Sequence, residues 1–443
     1  MSNRVKRRVN GIAAFGLALV CSVAAAVADD GGSAGPPEIP AGPLTLEQCM
    51  RLALEQNPGL VASRQGVIGA RAGLTRSRSS YYPQLSLAAT EAVRSDAAGD
   101  DTERTEEVDV VLRQTLWQSG LRQSVAESTA GLASAEFGYA AASQSLLEQA
   151  AREYYGALTA ERLVEVTEAA VASATSHLED VRARIEVGVT AEVDEFTAQD
   201  DLARSRLALI DARSSVRVAY ARLTTTMGLS PLTSVELAQP SPLTTEAVPT
   251  LTEALATAEE TRPDILRARA SLAGARNGVR RAEINRGPTA DVSGRYGSGY
   301  TDWTRRDPSW DVSLTLAWPL FDGFASAADV TSARASYVRS QAQLQSTLNE
   351  AGLEVETSLA EVERTRERVT ASAQSVAAAD ARLRAAEGRY QEGVGILLEV
   401  TDARASLTDA LLSQVRAEYD YRISLVGLRR VLGTLVGPEA NER

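Results

Sequence analysis

The chain has 443 residues, a formal net charge of -12, and 44% hydrophobic residues of which few are aromatic, so it can bury a large core poor in rings. An acidic chain of this kind excludes nucleic acid as a partner. One lysine (Lys6), one histidine (His177) and two cysteines (Cys21 and Cys49) leave few routes to catalysis, and neither a cofactor nor a metal ion is expected.

Arg4, Lys6, Arg7 and Arg8 precede an apolar run from Gly11 to Val27 that closes on Ala26-Val27-Ala28. This pattern predicts a secretory signal peptide over residues 1–28, the run being short and Ala-rich for an anchor helix. Its removal takes away four cations and no anions, which moves the net charge from -12 to -16. The mature chain then holds no lysine, excluding Walker and Schiff-base chemistry. It keeps only Cys49, which excludes an internal disulfide and a CxxC metal site; Cys49 reads as a small buried hydrophobe. Cys21 makes a poor lipoprotein site because Val20 precedes it. Residues 29–43, containing GPPEIPAGP, form a Pro/Gly-rich lead-in.

Residues 44–230 read as a first repeat. A helix over roughly 45–80 is broken at Asn57-Pro58, since proline cannot continue a helix. Strands follow at about 84–94 and 107–117, joined by the solvent loop RSDAAGDDTERTEE. From Gly120 to about Val187 there is hardly a breaker, which gives a helix of ~100 Å that needs a partner along its length. The return helix supplies one. Leu202, Leu209, Val216 and Leu223 recur every seven residues, flanked by the small Ser205, Ala212, Ala219 and Thr226, as in a close-packed coiled coil. His177, in ATSHLEDVR, is expected to be a solvated residue of the long helix.

A Pro-rich connector over 231–250 leads to a second repeat, 251–437, and a tail, 438–443. A shift of 205 residues carries Pro58 onto Pro263, Gly69-Ala70-Arg71 onto Gly274-Ala275-Arg276, Pro83 onto Pro288, Gly188-Val189 onto Gly393-Val394 and Gly228 onto Gly433. Between these blocks a shift of 204 applies, so the halves are expected to differ by a residue in a loop. The helix at 251–286 breaks at Arg262-Pro263. The strands lie at about 289–299 and 310–320, around the loop YTDWTRRDP, and Leu411, Leu425 and Leu432 renew the heptad with Glu418 interrupting.

Along these strands the polarity alternates. Val108, Val110, Leu112 and Leu116 correspond to Val312, Leu314, Leu316 and Leu320, and Trp310 and Trp318 fall on the same side; Gln114 is the exception. Four strands of ~10 residues have the length to cross a bilayer obliquely. They cannot close alone, because the smallest barrels need about eight strands, and lipid tolerates no open edge. Two, three or four copies would close the wall, with this face towards lipid and the indoles in an aromatic belt. Periodicity alone leaves a small soluble β-sandwich open as well.

The duplicated order, the junctions QTLWQSG (114–120) and WPLFDGF (318–324), and the hairpin tips RARIEVGVTAEVDEFTAQ (182–199) and GRYQEGVGILLEVTDARA (388–405) resemble the TolC-like outer-membrane efflux proteins. The resemblance implies a mainly α fold with a small β part: two long coiled-coil hairpins and four strands per chain, completing a 12-stranded transmembrane barrel and a helical tunnel as a homotrimer. It implies residence in the outer membrane of a Gram-negative bacterium, among its lipids, with the tunnel in the periplasm. The function implied is a passive exit duct for a tripartite efflux or type I secretion system. A periplasmic adaptor (membrane fusion) protein and an inner-membrane pump are the implied partners.

By the same resemblance the adaptor docks at Val187, Gly188, Val189 and Thr190 and at Gly393, Val394, Gly395 and Ile396. Gly395-Ile396 departs from the polar or basic pair of some relatives. Asp194, Glu399 and Asp402 occupy the positions of a periplasmic gate ring, and Tyr390 that of a tyrosine holding the tip closed. Carboxylates at helix N-termini are also favoured by about 0.3–1 kcal/mol through the helix dipole, which explains Glu192, Asp194, Glu195, Glu399 and Asp402 without a gate. The competing reading of the whole chain is a periplasmic coiled-coil adaptor or scaffold without a membrane barrel.

Overall fold

Both repeats begin with the same local device. Thr45 and Gln48 cap helix α1 (Leu46–Gln56) reciprocally, and Thr250 and Glu253 do the same for α5 (Leu251–Thr261), satisfying helix-end amides that would otherwise lack partners. One residue later Pro58 and Pro263 restart the chain as α2 (Pro58–Ser79) and α6 (Pro263–Ile284). At the first helical position a proline loses no hydrogen bond, so each helix is broken but closely continued. The computed structural model describes residues 42–95, 102–243, 247–302 and 304–435. The expected signal peptide, most of the lead-in, the C-terminal tail and the middle of the acidic loop lie outside the described residues.

Strands β1 (Gln84–Ser95) and β2 (Thr102–Gln118) follow α2, and β3 (Thr289–Thr301), β4 (Thr304–Arg305) and β5 (Ser309–Ala317) follow α6. They form one antiparallel sheet in which β2 lies between β1 and β3, and β3 pairs on its other side with β4 and β5. The two expected solvent loops are therefore shorter than the charge pattern suggested. Residues 102–107 belong to β2, and Tyr300, Thr301, Thr304 and Arg305 lie in the ladder. The polar residues there serve as ladder partners: Arg104 donates its backbone N–H to Asp302 (2.9 Å) and its guanidinium reaches Glu91 (2.5 Å) and Glu106 (3.1 Å).

The long helices are α3 (Leu121–Glu186, 66 residues) and α7 (Ala325–Gln391, 67 residues), each about 100 Å long. Their return helices are α4 (Glu192–Thr226) and α8 (Leu397–Val431). Left-handed caps stand at Gly120 and Phe324, 204 apart, and left-handed glycines at Gly188 and Gly393, 205 apart. One residue is thus lost between β3 and β5 relative to the first repeat and regained inside α7, where a loop had been expected to absorb the whole difference.

Each long helix packs on its return helix, and α3 also runs along α2 and α6, while α6 packs on α7. In α8 the most buried seam is the small one, Ala403, Ala410, Ala417, Ser424 and Val431, rather than the leucine series, which is only half-buried through Leu425. Small side chains bring the backbones close, and Glu418 interrupts nothing because it lies beside that seam. One core cluster gathers Leu44, Cys49, Tyr154, Leu158, Leu223 and Met227, a second lies near the tips, and a third lies under α5. Cys49 is fully buried, and burial pushes its thiol up to about 12.

The start of the first repeat is stitched to the connector by Leu44, which accepts from Ala238 and donates to Glu236. Both return helices end against a proline break. Gly228 and Gly433 take positive φ, and a Cβ on either would collide with the backbone at Gln56 or at Thr261. Only glycine allows this approach.

Candidate functional site

Two regions carry the expected site residues, the strand face and the hairpin tips. On the sheet, registers place Leu85, Leu87 and Ala89 of β1 opposite Leu112, Val110 and Val108 of β2. These meet Gly294, Tyr296 and Ser298 of β3, and β5 adds Val312 and Trp310, with Leu314 and Leu316 towards the helices. One apolar face therefore crosses all four main strands, and its large side chains are solvent-exposed in the single chain, Trp310 at 75% and Val312 at 68%. The outer edges of β1 and β5 have no partner strand among the described residues. Trp318 and Leu320 lie past the end of β5, still exposed, with the Trp318 indole donating to the Arg286 carbonyl (3.0 Å).

A bulge at Leu116 changes the period. Thr115 pairs with Asp291 and Trp117 with Ala290, so Trp117 joins the apolar face, which strict alternation had assigned to the other side. Gln114 does stay on that face, its amide donating to the Thr115 carbonyl (2.8 Å) and the Tyr81 carbonyl (3.3 Å). The opposite face carries polar groups such as Asp109, Arg113, Arg295 and Asp311.

At the tips, both long helices end in the same backbone motif. Gly188 donates to Ile185 and Val189 to Arg184, each at 2.9 Å; Gly393 donates to Tyr390 (3.2 Å) and Val394 to Arg389 (3.0 Å). These pairs close the last helical carbonyls around a left-handed glycine. The apolar Val187, Val189, Val394 and Ile396 are left exposed, with Thr190 half-buried. At Gly395 the N–H reaches the Arg389 carbonyl (2.9 Å), and a Cβ would crowd Arg389 and Tyr390 at 3.0 Å.

The acidic residues of the tips have different surroundings. Asp194 is half-buried in the first turn of α4, where Glu195 pairs with Arg182 (2.9 Å). Glu399 pairs with Arg389 (3.3 Å), so much of its charge is balanced within the chain. Asp402 is exposed and lines a groove of about 600 Å³ between the hairpins, together with Asp200, Asp201, Asp409, Arg204 and Arg404. The structure thus brings Asp402 towards Asp200 and Asp201, and does not pair it with Glu399.

His177 is buried at 4% exposure, contrary to the expected solvated position. Its own helix gave no sign of this; the second hairpin covers it. Its ring meets that of Tyr390 edge-on, and its Nε2 and the Tyr390 hydroxyl are both buried without a hydrogen-bond partner among the described residues. Burial, with Arg404 adding to it, pushes the imidazole down to about 4. The guanidinium of Arg184 lies over the Tyr390 ring at 4.9 Å. Arg404 donates to the Ser173 carbonyl (3.1 Å) and to Glu387 (2.9 Å), tying α8 to both α3 and α7. Sequence reasoning missed Arg184, Arg404 and His177 as tip contacts; the one available signal was cations set among small, otherwise buried helix positions.

Among the described residues no helix is long and apolar enough to cross a membrane. Comparison with known proteins supplies the rest. Residues 49–229 and 254–434 match the family described as outer membrane efflux protein, one match per repeat. The chain is 32% identical to Protein CyaE of Bordetella pertussis over 332 residues, covering 72% of this chain and 69% of that protein. It is 26% identical to outer membrane protein TolC of Vibrio cholerae over 403 residues, 88% of this chain and 91% of that one. Its fold is similar to that of the Campylobacter jejuni CmeC outer membrane channel, with a TM-score of 0.79 at 19% identity over 90% of this chain and 88% of that chain.

Proposed function

The chain belongs to the outer membrane efflux protein family, and from that membership we propose that three copies assemble into one passive duct. Twelve strands, four per copy, form the barrel in the outer membrane, and the hairpins form a tunnel into the periplasm. The observation that carries this reading is the apolar face running unsheltered across all four main strands of a sheet whose two edges lack partners among the described residues. Such a face is unfavourable in water, and such edges are not tolerated in lipid. Neighbouring copies relieve both faults together. Residues 1–28 direct export, 44–230 and 251–437 are the two repeats, and 231–250 joins them.

In this duct Val108, Val110, Leu112, Leu116, Trp310, Val312, Leu314, Leu316, Trp318 and Leu320 face lipid. The exposed apolar tips around Gly188 and Gly393 dock a periplasmic adaptor that links the duct to an inner-membrane pump. That pump supplies the energy, as part of either a tripartite efflux or a type I secretion system, and the duct itself carries out no catalysis. Asp194 and Asp402 tune the entrance, with Tyr390 holding it closed.

Reconstitution into a planar bilayer tests the reading. A duct gives stepwise ion conductance. A protein that stays in solution without detergent and conducts nothing would instead fit the adaptor or scaffold reading.

A further inference from the structure

We infer that the collar where the sheet meets the helices binds the headgroups of anionic phospholipids in the adjoining leaflet; this rests on the lipid-facing reading of the strand face. Five arginines converge there. Arg76 and Arg78 stand in the last turns of α2, Arg280 near the end of α6, Arg286 just beyond it, and Arg122 in the first turn of α3. Contacts bring these element ends together: Ser77 lies 3.5 Å from Ser124, Ser119 donates to the Pro288 carbonyl (3.1 Å), and Trp318 to that of Arg286.

All five are exposed, and none has a carboxylate within 4.0 Å among the described residues; Arg286 acts on Asp322 only at longer range. Neighbouring arginines are ion-paired instead: Arg71 with Glu136 (3.8 Å), Arg281 with Glu127 (3.0 Å) and, on α7, Arg334 with Glu283 (2.8 Å). Helix dipoles favour cations at helix C-termini, which accounts for Arg76 and Arg78 alone. Arg122 stands at a helix N-terminus, where the dipole repels it, and Arg286 lies outside any helix. The far end of the sheet is mixed in sign, with Glu91, Glu103, Glu106 and Glu107 beside Arg94, Arg104, Arg305 and Arg306, and there Arg104 and Arg306 are paired with glutamates. In a chain of net charge -12, five arginines without an ion pair among the described residues, gathered where the strands meet the helices, complement a phosphate-bearing surface.

The neighbouring side chains suit the same surface. Tyr82, Trp117, Trp318 and Phe321 are exposed beside these arginines, each more than 60%. Amphipathic rings settle at the level of lipid headgroups, and a guanidinium grips a phosphate through paired N–H donors. The acyl chains would then lie along the apolar face, which distinguishes this ligand from a free phosphate.

Native mass spectrometry of the detergent-extracted full chain tests the inference. The probes are phosphatidylglycerol, phosphatidylcholine with the same acyl chains, and glycerol 3-phosphate. Phosphatidylglycerol should be retained about tenfold better than phosphatidylcholine. The triple variant R78Q/R122Q/R286Q should lose that preference, since each surface arginine is worth about fivefold in binding to an anionic leaflet, while keeping wild-type oligomer mass and conductance. Equal retention of the two lipids by a chain that conducts would overturn the collar alone. Glycerol 3-phosphate binding as tightly as the lipid would make it a phosphate site and overturn the lipid assignment. A chain that needs no detergent and does not conduct would remove the barrel reading beneath both.

Discussion

The ring of His177 on α3 meets the ring of Tyr390 on α7 edge-on at 6.3 Å, joining the two hairpins just above their tips. Asp180 and Arg184 on α3, Glu387 on α7 and Arg404 on α8 surround the imidazole electrostatically. The folded imidazole resists protonation down to about 4, whereas an unfolded one takes a proton near 6.5. Its contribution is therefore complete above 6.5 and is lost as pH falls from there towards 4, by about 3 kcal/mol over the range. Asp201, whose carboxyl burial pushes up, works in the opposite direction. Proteolytic nicking of the tips should rise between pH 7 and pH 5 in the wild type and stay flat in His177→Leu. The same acid response in both proteins would remove His177 from the account.

Arg404 is the other tie between the hairpins, and it is mostly buried. Arg404→Ala takes the ion-pair donor from Glu387 and a second donor from the Ser173 carbonyl, a loss of about 1–3 kcal/mol. The tips should part more often, and single-channel conductance should rise relative to wild type. Unchanged conductance would mean that Arg404 only fastens the fold.

The acids proposed to ring the entrance should differ in weight. Glu399 is balanced by Arg389, while Asp402 lines the inter-hairpin groove beside Asp200 and Asp201. Asp402→Ala should weaken block by multivalent cations several times more than Glu399→Ala does, about fivefold against twofold on charge-pair magnitudes. Block that is indifferent to both changes would take the acidic ring out of the mechanism.

Gly433 abuts the break between α5 and α6 with a positive φ. Gly433→Ala should cost about 1–3 kcal/mol of stability through strain and collision, read as a lower thermal midpoint, and Gly228→Ala should do the same in the first repeat. Alanine tolerated at both positions would contradict the close approach described for the return helices.

These relationships differ in how far the sequence foretold them. The proline breaks at Pro58 and Pro263, the glycines ending α3 and α7, and the period-two strands were legible because each is set by residues close in the chain. The bulge that turns Trp117 outward was not, since pairing with β3 decides it. The burial of His177, the Arg404 tie and the small-residue seam of α8 were hidden for the same reason: each depends on a helix more than 150 residues away or on which flank of a heptad its partner occupies. Residues 102–107 looked like loop because charge was taken for solvation, whereas Arg104 uses its charge within the ladder.

The central claim is that one chain holds only part of a cylinder. Imaging and mass measurement of detergent-extracted particles address it directly. The account predicts a long tube of threefold symmetry with the mass of three mature chains. Folded monomers in plain buffer, with Trp310 and Trp318 shielded inside their own subunit, would contradict it.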